Sequence, residues 1–166
     1  SASNEGIGKA DYRRELVKQH SGRTLSAYVF ANVGVHESTT DLVFGGHLMV
    51  AENGVMLAEN RRFRREAELI ATDVDVDRLA VERLRQKTFS ETGGAASPTR
   101  VVALDAVALP KPARLVRRIA PLPFVPDDER SLSQRCAEIF EIQTAGLARR
   151  WEHTGSRKLI LGISGG

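Results

Sequence analysis

An Asn-Gly pair between two apolar runs is the feature that most constrains how this chain folds. Asn53 and Gly54 separate the runs at residues 42–50 and 55–58. Both residue types tolerate the positive φ angles that a two-residue hairpin turn requires. The sequence therefore predicts a β-hairpin. The apolar and β-branched segment 24–33 predicts a further, buried strand beside it.

The segments around this hairpin predict one layer of strands and a covering helix. Residues 9–20 carry apolar side chains at helical spacing with basic side chains outside them, which favours an amphipathic helix. Residues 67–74 alternate loosely and predict another strand, and residues 75–87 predict a second helix. We expect a mostly antiparallel sheet covered by the first helix. The fold class is α/β, and α+β within these residues.

The second part of the chain has a different composition. Residues 89–99 are rich in Gly, Ser and Thr and predict a mobile loop, and residues 101–109 predict a short strand or extended segment. Five prolines between residues 110 and 126 predict an extended connector. A long helix over residues 131–151 and an apolar strand over residues 158–163 follow. We therefore expect domains at residues 1–109 and 131–166, joined by a linker at 110–130.

Composition excludes several classes of function. The net charge is +3, but aromatic residues make up only 5% of the chain, too few for a base-stacking surface. We interpret the basic residues as a solvated surface and expect no nucleic-acid partner. No apolar stretch approaches the roughly 18 residues that a membrane helix needs. The single cysteine rules out an internal disulfide framework and suits a reducing cytosol.

The cysteine and the histidines do not indicate a catalytic or metal site. Cys136 lies on the apolar stripe of the predicted long helix, so we interpret it as a buried core residue. The four histidines are scattered, without the spacing of metal ligands, and we interpret them as structural or exposed.

A predicted strand followed by Ser164-Gly165-Gly166 indicates a phosphate-binding loop. Glycines let backbone N–H groups approach an anion closely, and the serine hydroxyl adds another donor. Such a loop needs a following helix to complete the anion site. We therefore expect that the chain is a segment cut inside this loop. No Gly-Lys-Ser/Thr follows, so this is not a Walker loop.

The sequence also resembles a known family in two long stretches. The run 159–166 resembles the start of the loop of ATP-pyrophosphatase-type amidating synthetases, which continues Ser-Gly-Gly-x-Asp-Ser. The wording Glu-Ser-Thr-Thr-Asp-Leu-Val-Phe-Gly-Gly-His at 37–47, then Ala-Glu-Asn-Gly at 51–54, resembles the glutaminase domain of glutamine-dependent NAD(+) synthetases. The resemblance covers essentially the whole chain. It implies the rear of a nitrilase-type α-β-β-α sandwich, a linker, and the first helix and strand of a Rossmann-like synthetase domain.

The resemblance implies roles for seven residues. Ser3 and Lys9 match the family's serine and basic residue that hold the substrate L-glutamine. A hydroxyl and a cation suit the polar and carboxylate ends of a free amino acid. The residues matching the ATP-binding loop are Gly162, Ile163, Ser164, Gly165 and Gly166. The family's nucleophilic cysteine, with its glutamate and lysine partners, precedes Ser1, so no catalytic residue is expected here.

The implied parent reaction is ATP-dependent amidation of deamido-NAD(+), with ammonia released from L-glutamine. ATP is a substrate, Mg²⁺ is expected with it, and the parent is expected to be a cytoplasmic homo-oligomer. We expect the 166 residues alone to be inactive, since each site would be incomplete. Two alternatives remain at this stage: a stand-alone nitrilase-type amidase of small carboxamides, and a non-catalytic scaffold piece.

Overall fold

A computed structural model describes residues 1–92, 100, 102–103 and 114–163. The chain forms two compact units, Ser1–Arg118 and Ile119–Gly166. The secondary structure of the first unit begins with helix α1 (Lys9–Arg23) and strand β1 (Ala27–Ala31). A short 3-10 turn (Val35–Glu37), strands β2 (Leu48–Glu52) and β3 (Val55–Glu59), and helices α2 (Val76–Arg85) and α3 (Lys87–Thr92) follow. The second unit contains helix α4 (Glu129–Thr154).

The three strands form an antiparallel sheet in the order β1-β2-β3. The turn between β2 and β3 is the predicted one, with φ angles of 45° at Asn53 and 83° at Gly54. The β2–β3 register shifts between Val50 and Ala51, so β3 contributes one extra residue there. The α+β class, the hairpin and the antiparallel layer are confirmed.

Helix α1 covers one face of this sheet. Val17 from α1 packs with Met49 and Ala51 from β2, and these three side chains form the buried core. Tyr28, Phe30 and Met56 pack around them. Burying Val17 and Met49 contributes roughly 1.5–3 kcal/mol each, which holds the helix on the sheet.

The helix predicted at residues 9–20 is confirmed and extends three residues further, to Arg23. Its predicted faces need correction: Arg13 is buried because it pairs with Glu5, whereas Tyr12 and Leu16 are 65% and 50% exposed.

The opposite face of β2 is covered by the chain that follows the hairpin. Glu52 is 3% exposed and accepts hydrogen bonds from Arg117 Nη1 (3.0 Å) and from the backbone N–H of Asp75 (2.7 Å). Helix α2 is attached through Arg83, whose Nε donates to the carbonyl of Leu25 at 2.9 Å. β2 is therefore the central strand, with little exposed surface on either side.

Three strand predictions for the first unit need correction. The predicted strand 42–50 begins only at Leu48 and extends to Glu52, and Leu42 and Val43 are exposed. Residues 67–74 form no strand, and Leu69 is 89% exposed, because the loose apolar alternation of this segment has no face to bury. β1 is present but is not a buried strand. Its residues alternate between exposed and half-buried, and Val29 is 71% exposed, because the described chain covers only one side of this edge strand.

Residues 89–99 were predicted as a loop. Helix α3 continues to Thr92, which corrects the prediction for 89–92. Residues 93–99 lie outside the described residues. The same is true of most of the predicted extended segment 101–109.

The second unit confirms the long helix and corrects two other predictions. The side chain of Asp128 accepts from the N–H of Ser131 at 2.8 Å and caps the start of α4, and Gly155 ends it with a φ of 61°. No residue of α4 is buried among the described residues, and Cys136 is exposed rather than part of a core. Residues 158–163 are not a strand, because no described strand pairs with them.

Candidate functional site

The segment that carries Ser3 lies beside the end of β1. Ser3 donates its backbone N–H to Asn32 Oδ1 at 2.9 Å, and Asn32 Nδ2 donates to the carbonyl of Ser3 at 2.7 Å. Nearby, the N–H of Val33 donates to the carbonyl of Ser1 at 3.0 Å. The Asn32 amide thus pairs with Ser3 as a neighbouring strand would. Ser3 itself is half-buried, and both bonds use its backbone rather than its hydroxyl.

Lys9 is the first residue of α1 and is also half-buried. Its Nζ donates to Oδ1 of Asn4, the residue next to Ser3. Gly8 precedes the helix with a φ of 76°, a left-handed conformation that glycine adopts without steric cost. The structure therefore links the two residues predicted to bind glutamine through Asn4, at the start of the chain and of α1.

Glu5 fastens this segment to the rest of the unit. Its side chain is 7% exposed and accepts from Arg13 Nη2 at 2.6 Å and Arg62 Nη1 at 2.7 Å. Burial raises the pKa of Glu5, but the hydrogen bonds and charges of Arg13 and Arg62 outweigh this and hold the pKa below its ordinary value. A Cβ added at Gly45 would lie 2.5 Å from Glu5 Oε1, so a larger residue there would displace the Glu5 carboxylate.

A buried histidine continues the network towards β3. His47 is fully buried, with Nδ1 3.1 Å from Arg13 Nη1 and Nε2 2.8 Å from Glu59 Oε1. Because a guanidinium only donates, Nδ1 must accept and the ring hydrogen lies on Nε2, facing the carboxylate. Glu59 also accepts two bonds from Arg14, at 2.8 and 2.7 Å. The interpretation of His47 as structural agrees with this environment.

Sequence reasoning missed this network. Its members are distant in the chain, and no spacing pattern marks them: Glu5, Arg13, Arg14, His47, Glu59 and Arg62. The only available signal was the density of charged residues within α1 and after β3. The arginines occupy both carboxylates, so the network ties the Glu5 segment, α1 and β3 together.

The structure describes only two of the five residues predicted to bind phosphate. Gly162 and Ile163 are exposed and have no regular secondary structure. Ser164, Gly165 and Gly166 lie outside the described residues. Their role therefore stays a prediction.

Neither a metal centre nor a membrane helix is found in the part of the chain that the structure describes. There, no group of three or more His, Cys, Asp or Glu residues is arranged to hold a metal ion. None of the helices described is long and apolar enough to cross a membrane.

Comparison with known proteins confirms the resemblance inferred from the sequence. No family model matches the chain. Glutamine-dependent NAD(+) synthetase from Mycobacterium leprae is 39% identical over 170 aligned residues, and that from Mycobacterium tuberculosis is 40% identical. Each alignment covers 100% of this chain and 25% of the relative. The chain therefore spans about a quarter of the length of the curated relatives it matches.

Solved structures of synthetases with the same name are also similar to parts of the chain. The glutamine-dependent NAD(+) synthetase from Cytophaga hutchinsonii is 32% identical, with a TM-score of 0.36 over 37% of this chain and 10% of that one. The Acinetobacter baumannii synthetase, solved with adenosine diphosphate, is 21% identical, with a TM-score of 0.41 over 48% and 14% of the two chains.

Proposed function

We propose that this chain is part of a glutamine-dependent NAD(+) synthetase. The observation that carries the proposal is the 39–40% identity to curated synthetases over the whole of the chain. In this proposal residues 1–109 belong to the glutaminase domain, 110–130 form the linker, and 131–166 begin the synthetase domain. The parent protein amidates deamido-NAD(+) with ammonia from L-glutamine and uses ATP to activate the carboxylate.

Ser3 and Lys9 bind L-glutamine in the proposed parent. Their half-buried positions and their connection through Asn4 support this role, because a polar substrate needs donors that are held in place yet reachable. Glu5, with its two arginines, is the anchor that keeps this segment on the sheet. The cysteine nucleophile, with its glutamate and lysine partners, belongs to the part of the parent that precedes Ser1.

Gly162, Ile163, Ser164, Gly165 and Gly166 bind the phosphates of ATP in the proposed parent. Backbone N–H groups of a glycine loop and one hydroxyl suit the pyrophosphate that leaves when the carboxylate is adenylated. Mg²⁺ accompanies the nucleotide. The parent is proposed to be a homo-oligomer and to be cytoplasmic; the single cysteine of these residues suits a reducing compartment.

Two variants of the full-length protein test the glutamine site. Ser3→Ala and Lys9→Ala should raise the KM for glutamine or lower the glutamine-driven rate, and should spare synthesis driven by added ammonia, which bypasses the glutaminase domain. NAD(+) formation with each nitrogen source is the measurement. Lys18→Ala is the matched control, because Lys18 lies on the same helix in a surface pair with Glu15, 3.0 Å away, and such pairs contribute little.

Equal losses with glutamine and with ammonia would indicate a general folding defect and remove the assignment of Ser3 and Lys9. A full-length protein that hydrolyses small carboxamides but forms no NAD(+) would instead point to the stand-alone amidase.

A further inference from the structure

We propose that Asn32 is a positioning residue for glutamine binding, because its side-chain amide holds the backbone of Ser3 and so fixes the position from which the Ser3 side chain projects. The inference rests on the proposed function and deepens it. It concerns a residue at the end of β1, on a different part of the chain from Ser3 and Lys9. The Asn32 side chain contacts the backbone of Ser3, so its effect on glutamine binding passes through Ser3.

Asn32 and Ser3 are joined by two hydrogen bonds, called here the Asn32–Ser3 clamp, which use both halves of the Asn32 amide. Oδ1 accepts from the Ser3 N–H at 2.9 Å, and Nδ2 donates to the Ser3 carbonyl at 2.7 Å. Two bonds in opposite directions fix the position and the orientation of one peptide segment, whereas a single bond would leave it free to rotate. Asn32 is 8% exposed, so water competes weakly for either bond.

Asn32 is itself held from the other side. Its backbone N–H donates to the carbonyl of His47 at 3.0 Å, just before β2 begins. The residue therefore connects the central strand of the sheet to the Ser3 segment: its backbone faces β2 and its side chain faces Ser3. Ser3 lies in a stretch without regular secondary structure, so this amide replaces the strand ladder that would otherwise order it.

The same clamp leaves the Ser3 side chain available. Both bonds end on backbone atoms, so neither uses the hydroxyl that the proposed function assigns to glutamine. Holding the backbone that carries this hydroxyl before substrate arrives lowers the entropic cost of binding. Asn32 can therefore affect glutamine binding without touching glutamine.

Asn60 provides a matched comparison within the same unit. Its Oδ1 accepts from the N–H of Leu48 at 2.7 Å, and its Nδ2 donates to the carbonyl of Gly46 at 2.8 Å. This is the same amide chemistry, applied to the backbone of residues 46–48. Loss of the Asn60 side chain should weaken the fold, but it removes neither of the hydrogen bonds between Asn32 and Ser3.

The test is steady-state kinetics of the full-length protein with glutamine and with ammonia. Asn32→Ala should raise the KM for glutamine about tenfold, the size expected for losing a buried pair of hydrogen bonds, and change the ammonia-driven rate less than about twofold. Asn32→Asp keeps the shape but turns the donor that faces the Ser3 carbonyl into an acceptor, so it should act in the same direction if Asn32→Ala fails to fold. Asn60→Ala should affect both nitrogen sources equally.

A double-mutant cycle separates positioning from general support. If Asn32 acts through Ser3, adding Asn32→Ala or Asn32→Asp to Ser3→Ala should raise the glutamine KM little further. If Ser3→Ala raises the glutamine KM but the effects of the two substitutions are additive, the role of Asn32 is overturned and the glutamine site stands. Equal losses with both nitrogen sources in the Asn32 variants overturn the role of Asn32 in the same way. If Ser3→Ala alone has no effect on glutamine use, the proposed glutamine site fails, and this inference fails with it.

Discussion

Glu59, the last residue of β3, accepts hydrogen bonds from one surface side chain and one buried side chain. Arg14 on α1 binds it from the surface with two bonds, and the fully buried His47 binds it from within. The hydrogen bonds from Arg14, and then that from His47, hold the pKa of Glu59 below its ordinary value against the opposing effect of burial. The same carboxylate therefore attaches α1 to the sheet and orients the ring of His47.

This arrangement predicts a loss of stability in acid. The folded-state pKa values of Glu59 and Glu5 lie below their unfolded values, so the folded state binds fewer protons. Their stabilising contribution is complete above the ordinary glutamate pKa of about 4.3 and is lost as the pH falls through the lowered pKa. Glu59→Gln should lower the melting temperature at neutral pH and reduce its decline on acidification.

The measurement is the melting temperature of the full-length protein from about pH 6 to about pH 3. Glu15→Gln is the control, since Glu15 is an exposed carboxylate on α1 that pairs with Lys18 at the surface. An unchanged pH dependence in Glu59→Gln would contradict the assignment.

At the scale of elements, the β2–β3 turn and the end of α1 stabilise each other. The hydroxyl of Ser21, which is fully buried, accepts from the N–H of Gly54 at 2.9 Å and donates to the carbonyl of Lys18 at 2.8 Å. The helix end therefore satisfies a backbone donor of the turn. The hairpin is predictable from two residues, but its attachment to α1 requires the fold.

Gly54→Ala should destabilise the protein by about 1–2 kcal/mol, because the φ of 83° is unfavourable for any residue with a Cβ. The cost comes from the backbone, since an added Cβ would have only ordinary contacts, with the nearest atoms at 3.9 Å. The free energy of unfolding, obtained from denaturant titration, measures the change. Gly34→Ala is the control, because Gly34 has a negative φ and a Cβ added there would meet nothing within 4 Å. Equal effects of the two substitutions would exclude backbone strain as the cause.

At the scale of the whole molecule, the proposed function assigns two reactions, ammonia release from glutamine and ATP-dependent amidation, to two parts of the chain. Ser3 and Lys9 belong to the unit Ser1–Arg118, and the proposed phosphate loop belongs to the unit Ile119–Gly166. Variants at the two ends should therefore have different effects on the two reactions.

Gly165→Val in the full-length protein should abolish NAD(+) formation with either nitrogen source, because a side chain there prevents close approach of the backbone to phosphate. Glutamine hydrolysis should remain measurable. Gly146→Val is the control: Gly146 lies on α4, and nothing is within 4 Å of an added Cβ. Glutamate release and NAD(+) formation, followed in one assay, distinguish the outcomes. Full NAD(+) synthesis by Gly165→Val would remove the phosphate-loop assignment.

The sequence alone determined the features that depend on neighbouring residues. Asn53-Gly54 determined the hairpin, because its positive φ angles are a local property. The spacing of apolar residues indicated that α1 and α4 are helices, because helical hydrogen bonds join residues four apart, but it did not give the faces that they bury. The wording of residues 37–54 indicated the relationship to the synthetases, and the comparisons confirmed it.

The tertiary structure decided whatever depends on distant partners. Residues 67–74 had a strand-like pattern but no strand to pair with, and Cys136 lay on an apolar stripe that no described residue covers. The Asn32–Ser3 clamp and the Glu5–Arg62 ion pair join residues that are 29 and 57 positions apart in the chain. A local pattern fixes what a segment can form, but only the folded chain brings together the groups that bury, pair or position its side chains.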